Sequence, residues 1–167
     1  MSPEKPPLIY ALVVNWNRPE DTLECLASLS KQEGIRPRLL VVDNASSDDS
    51  VDRVRKQFSE AEILVNQENL KFGGGANVGF QYALERGVDF VFIINNDAIA
   101  APDTLKLMLQ HAEPGVGLIS PMIYYAIAPR TIWSVGGQLI VPLLEHTNDA
   151  RNQVDDGNWP PTLERDF

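Results

Sequence analysis

A single cysteine, Cys25, is all the thiol chemistry this 167-residue chain offers. It cannot close an internal disulfide, and it falls in a stretch predicted to be helical, so a reducing cytoplasm is the compartment the sequence suits. Long apolar runs are equally scarce. No stretch approaches the length of a membrane span, and Met1-Ser2-Pro3-Glu4-Lys5-Pro6-Pro7 lacks the apolar middle of a signal peptide. Clusters of Lys or Arg are missing too, and the net charge is −9. That balance argues against a nucleic-acid partner, which needs a clustered basic face. There is no internal repeat. What remains, 44% hydrophobic and 22% charged residues, is the ordinary composition of a soluble globular domain, neither collagen-like nor disordered. At this length one core is the economical arrangement, burying roughly 70% of the unfolded surface.

The most informative stretch is Phe90-Val91-Phe92-Ile93-Ile94-Asn95-Asn96-Asp97-Ala98, an apolar run that stops at two amides and a carboxylate. Branched and aromatic residues without polar alternation fit a strand buried on both faces, the usual state of a central strand in a parallel sheet. The polar triplet then stands at the strand's carboxyl end, the edge where open α/β sheets bind ligands. Asp97 is therefore a candidate ligand for a divalent metal beside a phosphorylated group. The competing reading is a turn that caps the next helix.

Strand and helix alternate ahead of it. Leu8 to Val14 reads as a first buried strand, ending in Asn15-Trp16-Asn17-Arg18-Pro19. Pro19 suits a first helical turn, and Leu23, Leu26 and Leu29 give that helix one apolar face. Leu39 to Val42 is a second strand, running into the polar turn Asp43 to Ser50. Val51, Val54 and Phe58 mark a helix, and Ile63-Leu64-Val65 a short strand. The glycine cluster Gly73-Gly74-Gly75 comes next, then a helix on Phe80, Ala83 and Leu84 that Gly87 ends. Three such alternations predict an α/β fold with a doubly wound, mostly parallel, Rossmann-like sheet. Past Asp97, Pro102 opens a helix with Leu105, Met108 and Leu109 inside, and Val116 to Tyr125 resumes a strand. Ile132 to Ile140 reads as a small C-terminal hairpin turning at Gly136-Gly137, with Trp133 in the core. Residues 1–7 are expected to be disordered and 146–167 to be a loop or tail.

Parallel strands carry the loops Asn15 to Arg18, Asp43 to Asp49 and Asn95 to Asp97 to one edge of the sheet. A carboxylate there, Asp43, can accept hydrogen bonds from a ribose hydroxyl or a pyrimidine ring N–H, or can simply hold its own turn. Asp97 suits Mg²⁺ or Mn²⁺, which takes carboxylate and diphosphate oxygens together. The three glycines at a helix entrance are expected to offer free amides to an anion such as a diphosphate, the alternative being a flexible turn.

Four ordered segments carry a resemblance: Ala11 to Pro19 (ALVVNWNRP), Val41 to Asp48 (VVDNASSD), Asn69 to Gly79 (NLKFGGGANVG) and Ile94 to Asp97 (INND). Together they resemble family 2 glycosyltransferases, with the nearest likeness to the rhamnosyltransferase-like branch of bacterial polysaccharide synthesis, over roughly residues 8 to 140. The resemblance implies a GT-A fold over residues 8–145, a UDP- or dTDP-linked sugar donor, a divalent metal and a saccharide or lipid-linked acceptor, with peripheral membrane association. Asp43 matches the acid that contacts the nucleoside. Asn95-Asn96-Asp97 matches the metal-binding DxD motif with Asp97 as the retained ligand and Asn95 in place of the first Asp. Asn15, Gly74, Gly75, Asn77, Asn95 and Asn96 complete the expected nucleotide-sugar contacts. The catalytic base of this inverting family matches nothing in the chain and is expected beyond Phe167, in an acceptor-binding half.

Two other enzyme classes fit less well. Gly73, Gly75 and Gly79 leave one residue too many for a dinucleotide fingerprint and follow the third strand, and Asn15-Trp16-Asn17 is not the glycine-rich basic loop of a nucleotidyltransferase. A non-catalytic nucleotide-binding domain with the same fold is the alternative from a different class.

Overall fold

Ile9–Asn15 forms strand β1, and all seven of its residues are buried. In the computed structural model, which describes residues 6–136, 139–140, 145–146 and 150–159, parallel strands flank it on both sides. β2 (Arg38–Asp43) pairs with it from Tyr10↔Arg38 to Asn15↔Asp43. β3 (Glu62–Val65) lies outside β2, and β4 (Phe90–Asn95) pairs along the other side of β1, from Ile9↔Phe90 to Val14↔Asn95. The order is β3-β2-β1-β4. Asn15, Asp43 and Asn95 thus finish neighbouring strands at one edge.

Period-two alternation along β1 feeds two cores. Ala11 and Val13, with Leu39 and Val41 of β2, pack under helix α1 (Pro19–Leu29) through Leu23, Cys25, Leu26 and Leu29 and under helix α2 (Ser50–Gln57) through Val54. Tyr10 and Leu12, with Leu40 and Val42, pack under helix α3 (Lys71–Leu84) through Val78, Phe80, Tyr82 and Ala83. The sheet is therefore covered on both faces, as a doubly wound sheet should be.

Two expectations about the sheet and the helix beside it change. β4 is an edge strand of the four-stranded sheet, and Val91 to Ile94 are only half-buried. Its apolar run does face both cores, with Phe92 and Ile94 on one and Val91 and Ile93 on the other. An unbroken apolar run reports how many faces are covered; it carries no information about lateral neighbours, so it does not distinguish a central strand from an edge strand.

The glycine cluster is the second. It is not a loop ahead of a helix: α3 begins at Lys71 and contains all of it. The first-turn amides that lack intrahelical partners therefore belong to Leu70 to Gly73, not to Gly74 and Gly75. Gly75, Ala76, Gly79 and Ala83 form the buried side of α3. A Cβ on Gly75 would stand 2.8 Å from Val14 Cγ1, and one on Gly79 would stand 2.3 Å from Leu12 Cδ1. Both glycines let the helix backbone approach β1 more closely than any side chain permits.

The chain divides into two compact units, residues 1–107 and 108–167, with the boundary inside helix α4 (Thr104–Leu109). In the second unit β5 (Ile123–Tyr125) pairs antiparallel with β6 (Ala128–Ser134), and β7 (Leu139–Ile140) with β8 (Glu145–His146). The small antiparallel hairpin is present, with β6 paired to β5, while Gly137 and Gln138, where the turn was expected, lie outside the described residues. Ile132 is the buried residue of β6 and Trp133 beside it is 39% exposed, so Trp133 is not core. Alternation along a strand puts neighbours on opposite faces, and Ile132 takes the inner one. Part of the expected tail is ordered on β6: the Ile132 N–H donates to the Gln153 carbonyl (2.8 Å) and the Asp155 N–H to that of Arg130 (2.7 Å). The disordered start falls mostly, and Gly137 and Arg165-Asp166-Phe167 wholly, outside the described residues.

Candidate functional site

Asn15 and Asp43 end their strands side by side, 1% exposed each. Burial obliges both to find partners. Asn15 Nδ2 donates to Asp43 Oδ1 (2.7 Å) and to Ser46 Oγ (3.0 Å). The Ser46 backbone N–H donates to Asp43 Oδ2 (2.9 Å), and its hydroxyl donates to Oδ1. Asp43 therefore holds its own turn, and three of about four acceptor positions on the carboxylate are filled. One, on Oδ2, remains. The Asn17 N–H donates to Ser46 Oγ (2.8 Å) and the Ser47 N–H to Asn17 Oδ1 (3.0 Å), stitching the loop after β1 to the loop after β2.

Asn44 extends the stitching to α3. Its Nδ2 donates to the Lys71 carbonyl (2.9 Å), and its Oδ1 accepts from Asn66 Nδ2 (2.8 Å). The amino end of α3, with the partial positive charge of its first-turn amides, is thereby brought beside the β2 loop. Asn17, Arg18, Ala45 and Lys71 all have φ between 56° and 63°, a left-handed conformation that costs a residue with a side chain about 1 kcal/mol or more. The backbone strain of the first unit's non-glycine residues is thus concentrated at this edge, held in place by the hydrogen bonds just described.

The end of β4 is built differently. Asn95 and Asp97 are exposed and Asn96 is half-buried. Asn96 Nδ2 donates to Thr22 Oγ1 (3.1 Å), and the Asn95 carbonyl accepts from Cys25 Sγ (3.5 Å). Burial, and secondarily the charge of Asp97, push the Cys25 thiol up to about 12, so it is an inert neutral donor and not a nucleophile. The loop after the triplet is tied down by α1 and the turn that follows it: the Ala100 N–H donates to Ser28 Oγ (3.1 Å), and Gln32 joins the Ala101 carbonyl (2.8 Å) to the Leu105 N–H (3.0 Å). A carboxylate and a carboxamide left open on a fixed loop are hard oxygen donors, the set that Mg²⁺ or Mn²⁺ shares with phosphate oxygens. Among the described residues no group of three or more His, Cys, Asp or Glu could hold a metal by itself.

The structure therefore gathers Asn15, Asp43 and Asn96 into one hydrogen-bonded cluster and sets Asn95 and Asp97 at its rim. Gly75 touches the cluster only through its closeness to the Asn44 side chain. Asn77 lies exposed on α3, joined to the cluster by no hydrogen bond among the described residues. Sequence reading missed Thr22, Asn44, Ser46 and Asn66. Ser46 was legible as the third residue after an Asp, the spacing of a side-chain-closed turn. Thr22 was legible as a polar residue four before Leu26 and seven before Leu29, on the apolar face of α1.

The chain is similar in sequence and fold to known proteins. The family model described as glycosyl transferase family 2 covers residues 10–161 of the chain. The chain belongs to that family. The galactofuranosyltransferase GlfT1 of Mycobacterium tuberculosis is 32% identical over 119 residues, 69% of this chain and 39% of that protein. Among solved structures, the mannosyltransferase PcManGT from Pyrobaculum calidifontis, in complex with GDP-Man and Mn²⁺, is 25% identical with a TM-score of 0.56, covering 69% of this chain and 35% of that one. S. aureus TarS in complex with UDP, 23% identical with a TM-score of 0.54 over 69% of this chain and 39% of that one, shares the fold. This family 2 chain thus has the expected α/β, GT-A architecture and spans well under half the length of these relatives. Its placement in the rhamnosyltransferase-like branch rests on motif resemblance alone. No helix among the described residues is long and apolar enough to cross a membrane.

Proposed function

We propose that this chain is the donor-binding part of an inverting glycosyltransferase that moves a sugar from a UDP- or dTDP-linked donor to a saccharide or lipid-linked acceptor in cell-surface polysaccharide synthesis, in the cytoplasm beside the inner face of the membrane. The observation that carries it is that β2 ends at Asp43 and β4 two residues before Asp97 at the same carboxyl edge of a parallel sheet, on either side of β1, in a chain of this family. A mannosyltransferase 25% identical to it is known with GDP-Man and Mn²⁺ bound, which supports the same ligand classes here.

Each residue then has a task. Asp43 offers its remaining Oδ2 position to a ribose hydroxyl or ring N–H, while Asn15 keeps the carboxylate fixed. The unpartnered amides at the start of α3, from Leu70 to Gly73, face the donor's anionic part with Asn77 one turn on, while Gly75 lets that end of the helix sit close to β1 and Asn44. Asp97 would hold Mg²⁺ or Mn²⁺, with Asn95 and Asn96 orienting the loop and the donor's ribose. When bound, the metal neutralises charge that gathers on the departing diphosphate. The acceptor hydroxyl gives its proton to a base outside this chain, its oxygen bonds to the anomeric carbon, and the bond from that carbon to the diphosphate breaks on the opposite side.

Calorimetric titration of UDP and of dTDP into the folded chain, with and without Mn²⁺, tests the reading. Binding of one of them that Mn²⁺ strengthens is expected. Absence of binding to both, with Mn²⁺ present, would contradict it.

A further inference from the structure

Thr22 is wholly buried, yet its hydroxyl lies between the two halves of the site. It donates to Asn15 Oδ1 (2.6 Å) and accepts from Asn96 Nδ2 (3.1 Å). The direction of these bonds is fixed by Asp43. A carboxylate only accepts, so Asn15 must turn its Nδ2 towards Asp43 Oδ1 (2.7 Å) and its Oδ1 towards Thr22. The single hydroxyl proton of Thr22 is then committed to Asn15, which leaves its oxygen as the acceptor that Asn96 Nδ2 needs. The chain Asn96 to Thr22 to Asn15 to Asp43 therefore runs in one sense, from the residue next to Asp97 to the carboxylate of the other half. Aligned hydrogen bonds of this kind polarise one another, and every link but the outermost is shut away from water.

We infer that Thr22 is a positioning residue that couples nucleotide binding at Asp43 to metal binding at Asp97. The inference rests on the glycosyltransferase reading above and deepens it. Thr22 touches no ligand, being buried, so its effect passes through Asn96 on one side and Asn15 on the other. When Asn15 is held by a nucleotide-loaded Asp43, the Thr22 hydroxyl stays oriented and Asn96 is kept in place. The loop then presents Asp97 to the ion without a further ordering cost. Thermodynamic linkage makes the effect reciprocal, so the ion should raise nucleotide affinity by the same factor. Removing the hydroxyl breaks the chain at its middle and leaves both ends intact.

The measurement is UDP affinity with and without Mn²⁺ for the wild-type chain, Thr22→Val and Thr22→Ser, with melting temperatures alongside. Valine deletes the hydroxyl and serine retains it. Thr22→Val is expected to lower the Mn²⁺ enhancement of UDP affinity about fivefold, which is about 1 kcal/mol at 1.4 kcal/mol per decade. Its metal-free UDP affinity should change less than twofold, and Thr22→Ser should restore the enhancement. Asn96→Ala, which removes the outer link, should lose the same factor of Mn²⁺ enhancement whatever its own effect on metal-free affinity, and combining it with Thr22→Val should lose no more of the enhancement. If the valine variant does not fold, Asn96→Ala set against Thr22→Ser carries the test: the first should lose the enhancement and the second keep it. A merely structural threonine would lower stability and both affinities together, leaving the enhancement unchanged, and that result would overturn the coupling. Wild-type binding that Mn²⁺ does not enhance would overturn it as well. No wild-type binding at all would remove the glycosyltransferase reading first, and the coupling with it.

Discussion

The two sides of the candidate site are made by opposite means. On the β1–β2 side, Asn15, Asp43 and Asn44 are buried, and their polar atoms are spent on one another and on Ser46, Lys71 and Asn66. On the β4 side, Asn95 and Asp97 stand in solvent on a loop whose anchors are Thr22, Cys25 and Ser28 of α1. The contrast separates two physical jobs. A buried cluster whose hydrogen bonds are nearly all made is preformed, and a ligand that takes its last acceptor position tightens it further, which suits reading a nucleoside. An exposed carboxylate costs little to keep ionised and is free to take a divalent ion together with a ligand's phosphate oxygens, which suits a metal that arrives with the donor.

The largest expected effect is at Asp43. Asp43→Ala removes the acceptor for Asn15 Nδ2 and for the hydroxyl and amide of Ser46, and each buried donor left unmet costs about 1–3 kcal/mol. Chemical denaturation should show a loss of about 3 kcal/mol, together with loss of nucleotide binding. Asp97→Ala is the counterpart. Being exposed, it should leave stability within about 0.5 kcal/mol, while abolishing metal-dependent binding. Equal destabilisation by the two would erase the contrast.

Gly79→Ala tests what supports the buried side. Its added methyl would meet Leu12 at 2.3 Å, in the strand that ends in Asn15. Overpacking of this kind costs about 1–3 kcal/mol, against which the helix gains up to about 1 kcal/mol from replacing glycine. A net loss of about 1–2 kcal/mol in denaturation is expected. Gly73→Ala, where nothing lies within 4 Å, should instead gain about 0.5–1 kcal/mol.

Cys25 probes the floor beneath the open side. Its thiol is raised from 9.0 to about 12 by burial. The folded state thus holds the proton more tightly than the unfolded chain. The resulting stabilisation is complete below about pH 9 and is lost as pH climbs towards about 12. Cys25→Ala should flatten the fall in stability between pH 8 and pH 10.5 in denaturation experiments, and in the unsubstituted protein a thiol reagent at pH 8 should react only after unfolding. Rapid reaction in the folded state would show that the β4 loop opens more readily than its anchors imply.

Much of this was written plainly in the chain. Unbroken apolar runs gave β1 and β2, three-residue leucine spacing gave α1, and the polar ends of the strands gave Asn15, Asp43 and Asp97 as residues that meet at one edge. What stayed hidden depends on tertiary neighbours. The run of β4 states that two faces are covered and says nothing of which strand lies beside it. Gly73-Gly74-Gly75 looks like a phosphate loop because local composition does not reveal a helix pressed onto a sheet. The relevant signal was the spacing of Gly75, Gly79 and Ala83, small residues on one helical face. Thr22 was overlooked because a lone hydroxyl in an apolar stripe announces a partner without naming it.

Paramagnetic broadening by Mn²⁺ tests the division most directly. With UDP bound, trace Mn²⁺ added to isotope-labelled chain should broaden first the amide signals of Asn95, Asn96 and Asp97, and the effect should vanish in Asp97→Ala. Broadening centred instead on Asp48 and Asp49, or on none of these loops, would contradict the assignment of the open side to the metal.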